Sequence, residues 1–158
     1  MSGIPRLLSH PLLALIFRLY LGGLFVYASM YKINYAAEFA ETIASYQLVP
    51  WWSVNFLAVA MPWFELVCGL LFLAGVRVRT VGLAMAGLLA MFTVAIFVNL
   101  LRDAPISCGC FHSLEDAISW RTVVRDLTWM VMALHATRFD SWLQLDKIFL
   151  QGFKEIEA

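Results

Sequence analysis

Four long apolar stretches constrain the fold of this chain more than any other feature of its sequence. A helix needs about 20 mostly apolar residues to cross the hydrocarbon core of a bilayer, and the four stretches meet or approach that length. They run from about Pro11 to Ile33, Trp51 to Ala74, Thr80 to Leu101 and Thr122 to Phe139. They lack the alternating pattern of a membrane β-barrel. The sequence therefore predicts an all-α membrane protein, a bundle of four transmembrane helices.

The composition also indicates that a bilayer is the solvent of this chain. Of its 158 residues, 62% are apolar and 14% are charged, whereas a soluble domain has about 25% charged residues. The formal net charge is zero, and no face or tail is basic enough to bind nucleic acid. We expect a single domain over residues 1–158, with membrane lipid as the partner of most of its surface.

The distribution of cations predicts which end of the bundle faces the cytoplasm. If the N-terminus is cytoplasmic, six cations lie on the cytoplasmic side and only Lys32, Arg102 and Arg121 lie on the other. The six are Arg6, Arg77, Arg79, Arg138, Lys147 and Lys154. Because cytoplasmic loops carry an excess of Lys and Arg, both termini are predicted to be cytoplasmic, an N-in/C-in topology.

Three shorter segments are predicted to lie along the membrane surface. Two loops face outward in this topology, and they are long enough to contain short helices around Ala36 to Tyr46 and Leu114 to Ser119. The tail, residues 140–158, alternates apolar and charged residues and is too short in apolar length to span. We expect it to form an amphipathic helix on the cytoplasmic surface.

Two ionisable residues fall deep within the apolar stretches. Arg18 shares a helical face with Lys32, and Glu65 shares one with Gly69. A buried arginine costs at least ~2.5 kcal/mol and needs a partner. At about 1.5 Å per residue, Arg18 and Glu65 lie on the order of 10 and 14 Å from the inner ends of their helices. We therefore predict an Arg18–Glu65 ion pair, which either joins the two helices or belongs to a proton or electron path.

A second polar group is predicted at the outward ends of the helices. This layer contains Lys32, Asn99, Arg125 and Asp126. Three aromatic residues could cover them, namely Tyr31, Trp120 and Trp129. Such a cluster could hold a quinone head group or stabilise a thiolate. Interfacial anchoring is the alternative interpretation.

The segment "PISCGCFHSLED" contains two cysteines separated by one glycine, Cys108 and Cys110. A disulfide between them closes a very small ring, which only a flexible residue such as glycine allows. Strain makes such a bond easier to reduce and more oxidising towards other thiols.

Two alternatives to a redox role remain for these cysteines. One is a static structural disulfide, and the other is metal binding together with His112. We predict no metal site, because structural zinc takes four ligands. The third cysteine, Cys68, lies among apolar residues too far from this loop to pair with it.

These motifs resemble a known family. "CGCF", followed by "SWRTVVRDL", is similar to the end of the MauE (methylamine utilisation) family within the DoxX/DoxD membrane superfamily, as are the polar patterns of the first two helices. The resemblance implies a four-helix bundle in the bacterial inner membrane. It also implies a role in maturing a disulfide-rich subunit of methylamine dehydrogenase beside a thioredoxin-like protein. Superfamily relatives are linked to thiosulfate:quinone oxidoreduction. Two departures are His112 and Ser29, where the family pattern has glycine.

Together these observations favour an inner-membrane thiol–disulfide oxidoreductase, or its membrane subunit. Cys108 and Cys110 are its predicted reactive pair, and the residues predicted to support them are Lys32, Asn99, His112, Arg125 and Asp126. The chain has one usable cysteine pair, so electrons must pass to a quinone or to a partner with a second pair. The expected partners are a periplasmic thioredoxin-like protein or a disulfide-containing client. The alternatives are a non-enzymatic assembly factor and a quinone-binding subunit of a sulfur-oxidising system.

Overall fold

The computed structural model describes residues 10–102 and 118–140. Within these ranges the chain is helical and contains no strand, which confirms the predicted all-α class. Five helices follow one another: α1 (Pro11–Asn34), α2 (Ala36–Tyr46), α3 (Trp51–Ala74), α4 (Val78–Leu101) and α5 (Trp120–Phe139). The short helix predicted at Ala36 to Tyr46 is confirmed as α2, and its position along the membrane surface stays a prediction. Most of the one predicted at Leu114 to Ser119, and all of the tail beyond Asp140, lies outside the described residues.

Three of these helices are long and apolar enough to cross a membrane. They are α1, α3 and α4, each of 24 residues. Large apolar side chains point away from the bundle on all three, including Tyr27, Phe56 and Val94. In water such a surface would be a liability, whereas in a bilayer it faces lipid. The chain is therefore a multi-pass membrane protein.

Helix ends coincide with residues that favour turns. Pro11 occupies the first turn of α1, where proline is preferred, and the His10 ring accepts a hydrogen bond from the backbone N–H of Leu12 at 3.3 Å. Gly75 follows the last residue of α3 with a φ of 73°, a left-handed conformation that suits glycine, and α4 begins three residues later. This tight connection makes α3 and α4 antiparallel neighbours.

The bundle has two ends, which we name by their connections. At the loop end, α1 and α4 finish while α3 and α5 begin, and residues 103–117 join α4 to α5. At the turn end, α3 is joined to α4. Helix α5 runs antiparallel to α4 over most of its length, because Trp120 packs on Phe97 near the loop end and Thr137 packs on Gly82 near the turn end.

Two glycines set the register between α1 and α3. A Cβ atom on Gly22 would lie 3.2 Å from the carbonyl oxygen of Gly69, and a Cβ atom on Gly69 would lie 3.1 Å from that of Gly22. The two backbones therefore touch at this point, as small residues allow in membrane helices. The predicted polar faces of both helices are buried at this contact, with Arg18 and Lys32 on α1 and Glu65 on α3.

The apolar core lies between these helices. Leu21, Phe72, Met85 and Ala133 are fully buried in one cluster towards the turn end. A separate cluster forms where Phe39 and Ile43 of α2 pack on the first turns of α3. Helix α2 therefore covers the loop-end half of α3 on one side.

Candidate functional site

An ion pair lies inside the bundle, where Lys32 from the loop-end half of α1 reaches Glu65 near the middle of α3. The Lys32 ammonium donates to both carboxylate oxygens of Glu65, each at 2.8 Å, and the two side chains are only 4% and 3% exposed. The same ammonium lies 5.1 Å from the ring centre of Phe39 and 4.7 Å from that of Phe92. Aromatic faces attract cations, so the charge of Lys32 is compensated both by a carboxylate and by two rings.

Asp126 of α5 lies at the same depth and is also buried. Nε and Nη2 of Arg125 each lie 3.0 Å from its Oδ1 atom, and the Arg125 guanidinium stacks on Trp129 at 4.6 Å. Lys32, Glu65 and Asp126 line one small cavity of about 40 Å³. A water molecule needs roughly 10–15 Å³ by this measure, together with two or more polar partners. The cavity meets both requirements, so a proton or a small polar group could be held there between the two carboxylates.

The predicted Arg18–Glu65 pair is wrong. Nη1 of Arg18 instead lies 2.6 Å from Oδ2 of Asp140, the residue that ends α5, and Glu65 is taken by Lys32. The depth estimate assumed that the inner ends of the two helices are level. The contact between Gly22 and Gly69 staggers them, so Arg18 is opposite Leu73, about 12 Å along the axis from Glu65. The same stagger brings the long Lys32 side chain within reach of Glu65.

Comparison with known proteins identifies the family. The family model described as methylamine utilisation protein MauE matches residues 10–138. The chain belongs to the MauE family. This match confirms the resemblance to the MauE family that "CGCF" and "SWRTVVRDL" indicate. The placement of the family within the DoxX/DoxD superfamily stays a prediction. Lys32, Glu65 and Asp126 all fall within the matched residues, whereas Asp140 lies just beyond them.

Two curated members of the MauE family are similar to this chain. The methylamine utilization protein MauE of Paracoccus denitrificans is 29% identical over 129 residues, which is 80% of this chain and 69% of that protein. The protein of the same name from Methylophilus methylotrophus is 32% identical over 109 residues, which is 68% of this chain and 57% of that protein. The match thus spans little more than half of the second relative. No solved structure matches the chain.

The structure gives three outcomes for the other residues predicted to belong to the site of this MauE-family protein. Asn99 is buried near the loop end, but its amide donates to the carbonyl of Ala95 at 3.0 Å and it does not line the cavity. Of the three aromatic residues predicted to cover the cluster, only Trp129 lines the cavity. Cys108, Cys110 and His112 lie outside the described residues. Within residues 10–102 and 118–140, no group of His, Cys, Asp and Glu could hold a metal ion, and Cys68 is a buried free thiol.

The aromatic neighbours of Lys32 were not predicted from the sequence. Phe39 belongs to α2 and Phe92 to α4, and neither has a distinctive spacing relative to Lys32. Apolar periodicity places both on inward faces but cannot tell which cation they contact. Asp140 was not predicted as the partner of Arg18, because it follows the last apolar stretch and belongs to the tail that is predicted to lie on the membrane surface.

Proposed function

We propose that this MauE-family protein is a membrane thiol–disulfide oxidoreductase, or the membrane subunit of one. It supports disulfide formation in a periplasmic client that serves methylamine utilisation. Cys108 and Cys110 form its reactive pair, and Lys32, Asn99, His112, Arg125 and Asp126 surround or support that pair. The names of the two relatives, which tie them to methylamine utilisation, support the pathway.

The observation that carries this proposal is the position of the charged cavity in the bundle. Residues 103–117, which contain the cysteines, connect the loop ends of α4 and α5. Ile118, at the end of this connection, is buried with Tyr46, Ile96 and Val123 at the loop end. Lys32 and Asp126, which line the charged cavity, lie in the loop-end halves of α1 and α5, and Glu65 reaches the cavity from near the middle of α3. Charged groups beneath a cysteine loop can stabilise a thiolate, the form that attacks disulfides.

The membrane topology that we propose has four spans with both termini in the cytoplasm, in the bacterial inner membrane. Helix α5 is too polar to meet the composition of a span, yet it packs along α4 from one end of that helix nearly to the other. Its buried charges are paired inside the bundle, which is where a membrane helix places ionisable residues. The cysteine loop then lies on the periplasmic side, where disulfides persist.

The reaction is a thiol–disulfide exchange. A thiolate of the client attacks the Cys108–Cys110 disulfide to give a mixed disulfide, and the second client thiol resolves it. The client gains its disulfide and loses two electrons, which leave Cys108 and Cys110 as thiols. The pair is then reoxidised by a quinone of the membrane or by a periplasmic thioredoxin-like partner with a second cysteine pair.

A thiol-trapping experiment tests this function. The protein replaces the MauE of a bacterium grown on methylamine, the cells are quenched with acid, and free thiols are alkylated with a bulky maleimide. We expect the Cys108–Cys110 pair to be reduced by dithiothreitol and to reoxidise after washout. The double variant Cys108→Ser/Cys110→Ser should lose client maturation to background, while the control Cys68→Ser should retain it. Client maturation that survives in the double variant would assign the chain instead to the class of non-enzymatic assembly factors.

A further inference from the structure

A second and larger cavity lies between α2, α3 and α4. It has a volume of about 240 Å³, and its wall is almost entirely apolar. This apolar cavity opens on the outside of the bundle, because Leu48, Met91 and Val94 line it and are also exposed. Since the outer surface of the bundle faces lipid in a bilayer, the molecules that meet the opening are those of the membrane.

The apolar cavity extends along the helices, from the loop end towards the middle of the bundle. Tyr46 and Leu48 line it near the start of α3, and Met61 and Met91 line its deep end. At about 1.5 Å per residue, each methionine lies about 15 Å from the loop end of its helix. The cavity is therefore long in the direction of the helix axes.

The loop end of the apolar cavity lies at the level of the lipid head groups. Trp51 and Trp52 begin α3 and are both exposed, as tryptophans are at a membrane interface. The hydrocarbon core of a bilayer is about 30 Å thick, so a depth of about 15 Å corresponds to one leaflet. The shape of the cavity thus matches an acyl chain that enters at the head-group level and runs inward along the helices.

A cation lies on the helix face that continues the wall of the apolar cavity. At about 100° per residue, Arg102 falls on the same face of α4 as Met91 and Ala95, which line the cavity. It lies about 10 Å beyond Ala95, at the head-group level. Arg102 is exposed, and no carboxylate of residues 10–102 and 118–140 forms an ion pair with it. A guanidinium group can donate two parallel hydrogen bonds to a phosphate.

The carboxylates of α2 lie away from the apolar cavity. Glu38 accepts a hydrogen bond from the Tyr31 hydroxyl at 3.1 Å. Glu41 is exposed on the side of α2 opposite to Phe39 and Ile43, which line the cavity. Among the described residues, the charge beside the opening is therefore positive, and a positive charge at the membrane surface favours an anionic head group.

We propose that the apolar cavity binds one acyl chain of an anionic phospholipid, whose phosphate is held by Arg102. Helix α2 packs mainly on α3, so the chain fills the gap that separates α2 from α4. Flexible methionine side chains at the deep end, Met61 and Met91, suit the irregular surface of a hydrocarbon chain. In the topology proposed above, this lipid belongs to the outer leaflet. The site is separate from the thiol exchange, and neither depends on the other.

Native mass spectrometry of the full chain tests the head-group contact. The protein is released from micelles that contain equal amounts of dioleoyl phosphatidylglycerol, which is anionic, and dioleoyl phosphatidylethanolamine, which is zwitterionic and has the same chains. We expect one phosphatidylglycerol to be retained, with an affinity that falls about fivefold in Arg102→Gln, the effect of one interfacial cation. The control Arg121→Gln removes an exposed arginine of α5, which does not line the cavity, and should leave retention unchanged. Equal retention of the two lipids, or equal losses in the two variants, would overturn the proposal.

Two tryptophan variants test the position of the acyl chain. Leu57→Trp fills the apolar cavity and should lose the retained phosphatidylglycerol. Leu70→Trp places the same side chain on the exposed face of the same helix, outside the cavity, and should retain it. Equal retention in the two variants would contradict a chain bound in the cavity.

A last measurement uses the unsubstituted protein, so it does not depend on whether a variant folds. Phosphatidylglycerol with a diazirine near the end of one chain is bound in detergent and crosslinked by light, and mass spectrometry locates the adduct. Labelling of the segments around Met61 or Met91 that is suppressed by excess phosphatidylglycerol, but not by the same excess of phosphatidylethanolamine, supports the site. Labelling that is spread over the outward faces of the helices and insensitive to both competitors would show only unspecific lipid contact and overturn it. Either result leaves the proposed thiol exchange unchanged.

Discussion

At the scale of single residues, two buried cations are compensated by partners far away in the chain. Arg18 is paired with Asp140, and Lys32 with Glu65. Removing one member of a buried pair strands the other in a medium that solvates it poorly, whereas replacing both with apolar groups of similar size is far less costly. The pairs therefore determine which helices can lie together, even where they add little net stability.

A double-mutant cycle tests the pairing. Lys32→Met and Glu65→Met alone should each lower the free energy of unfolding by about 3–5 kcal/mol, and the double variant should lose much less. Arg18→Met combined with Glu65→Met should instead be additive within about 0.5 kcal/mol, because the structure separates these residues. The measurement is unfolding in mixed micelles of a mild and a denaturing detergent. Strong coupling between Arg18 and Glu65 would restore the pairing predicted from helix depth.

At the scale of helices, the close contact between α1 and α3 decides which residues meet. Gly22 and Gly69 allow the two backbones to touch, and every pairing along the two helices follows from that stagger. The neighbouring Gly23 faces outward, where a Cβ atom would meet nothing within 4 Å. Two adjacent glycines therefore have different roles, and only one of them is needed for packing.

Alanine at each of these glycines separates the roles. In Gly22→Ala the new Cβ would lie 2.7 Å from Cγ of Leu73 and close to the Gly69 carbonyl oxygen, so we expect a loss of about 1–3 kcal/mol. Gly23→Ala should be neutral or stabilising by up to about 1 kcal/mol, since alanine is the better helix former. Both are measured by the same detergent unfolding. Equal stability of the two variants would show that the α1–α3 contact does not determine the register.

At the scale of the whole molecule, the bundle is asymmetric between its ends. The loop-end half holds helix α2 and an apolar cavity between α2, α3 and α4, while the turn end holds a short connection and the Arg18–Asp140 pair. The charged cavity lies between them, near the middle of the bundle. Exposed apolar side chains surround the helices between these ends. The two ends of the bundle therefore differ in the helices and side chains that they present.

Single cysteines introduced into a cysteine-free background test the topology. Glu41 and Arg121 are exposed towards the loop end, and Arg79 and Arg138 towards the turn end. With a membrane-impermeant maleimide on intact spheroplasts, Glu41→Cys and Arg121→Cys should react at once. Arg79→Cys and Arg138→Cys should react only after permeabilisation. Reaction of Arg138→Cys in intact spheroplasts would show that α5 does not cross the membrane. If instead only Arg79→Cys and Arg138→Cys react in intact spheroplasts, the cysteine loop lies in the cytoplasm.

The sequence alone determined the helical class, the apolar spans, the helix at Ala36–Tyr46 and the inward faces of α1 and α3. These features follow from local rules, because apolar length and helical periodicity are properties of neighbouring residues. The sequence also predicted Lys32 and Asp126 as members of one polar cluster, and both line the charged cavity.

Only the tertiary structure decided which charges meet and where space remains. Glu65 forms its ion pair with Lys32 and not with Arg18, because a contact between two glycines staggers α1 against α3 by several residues. Phe39 and Phe92 lie against that lysine because α2, which follows α1 directly, and α4, which is distant in the chain, both pack beside it. Register and cavities depend on how side chains of distant segments fit together, and no local pattern encodes that fit.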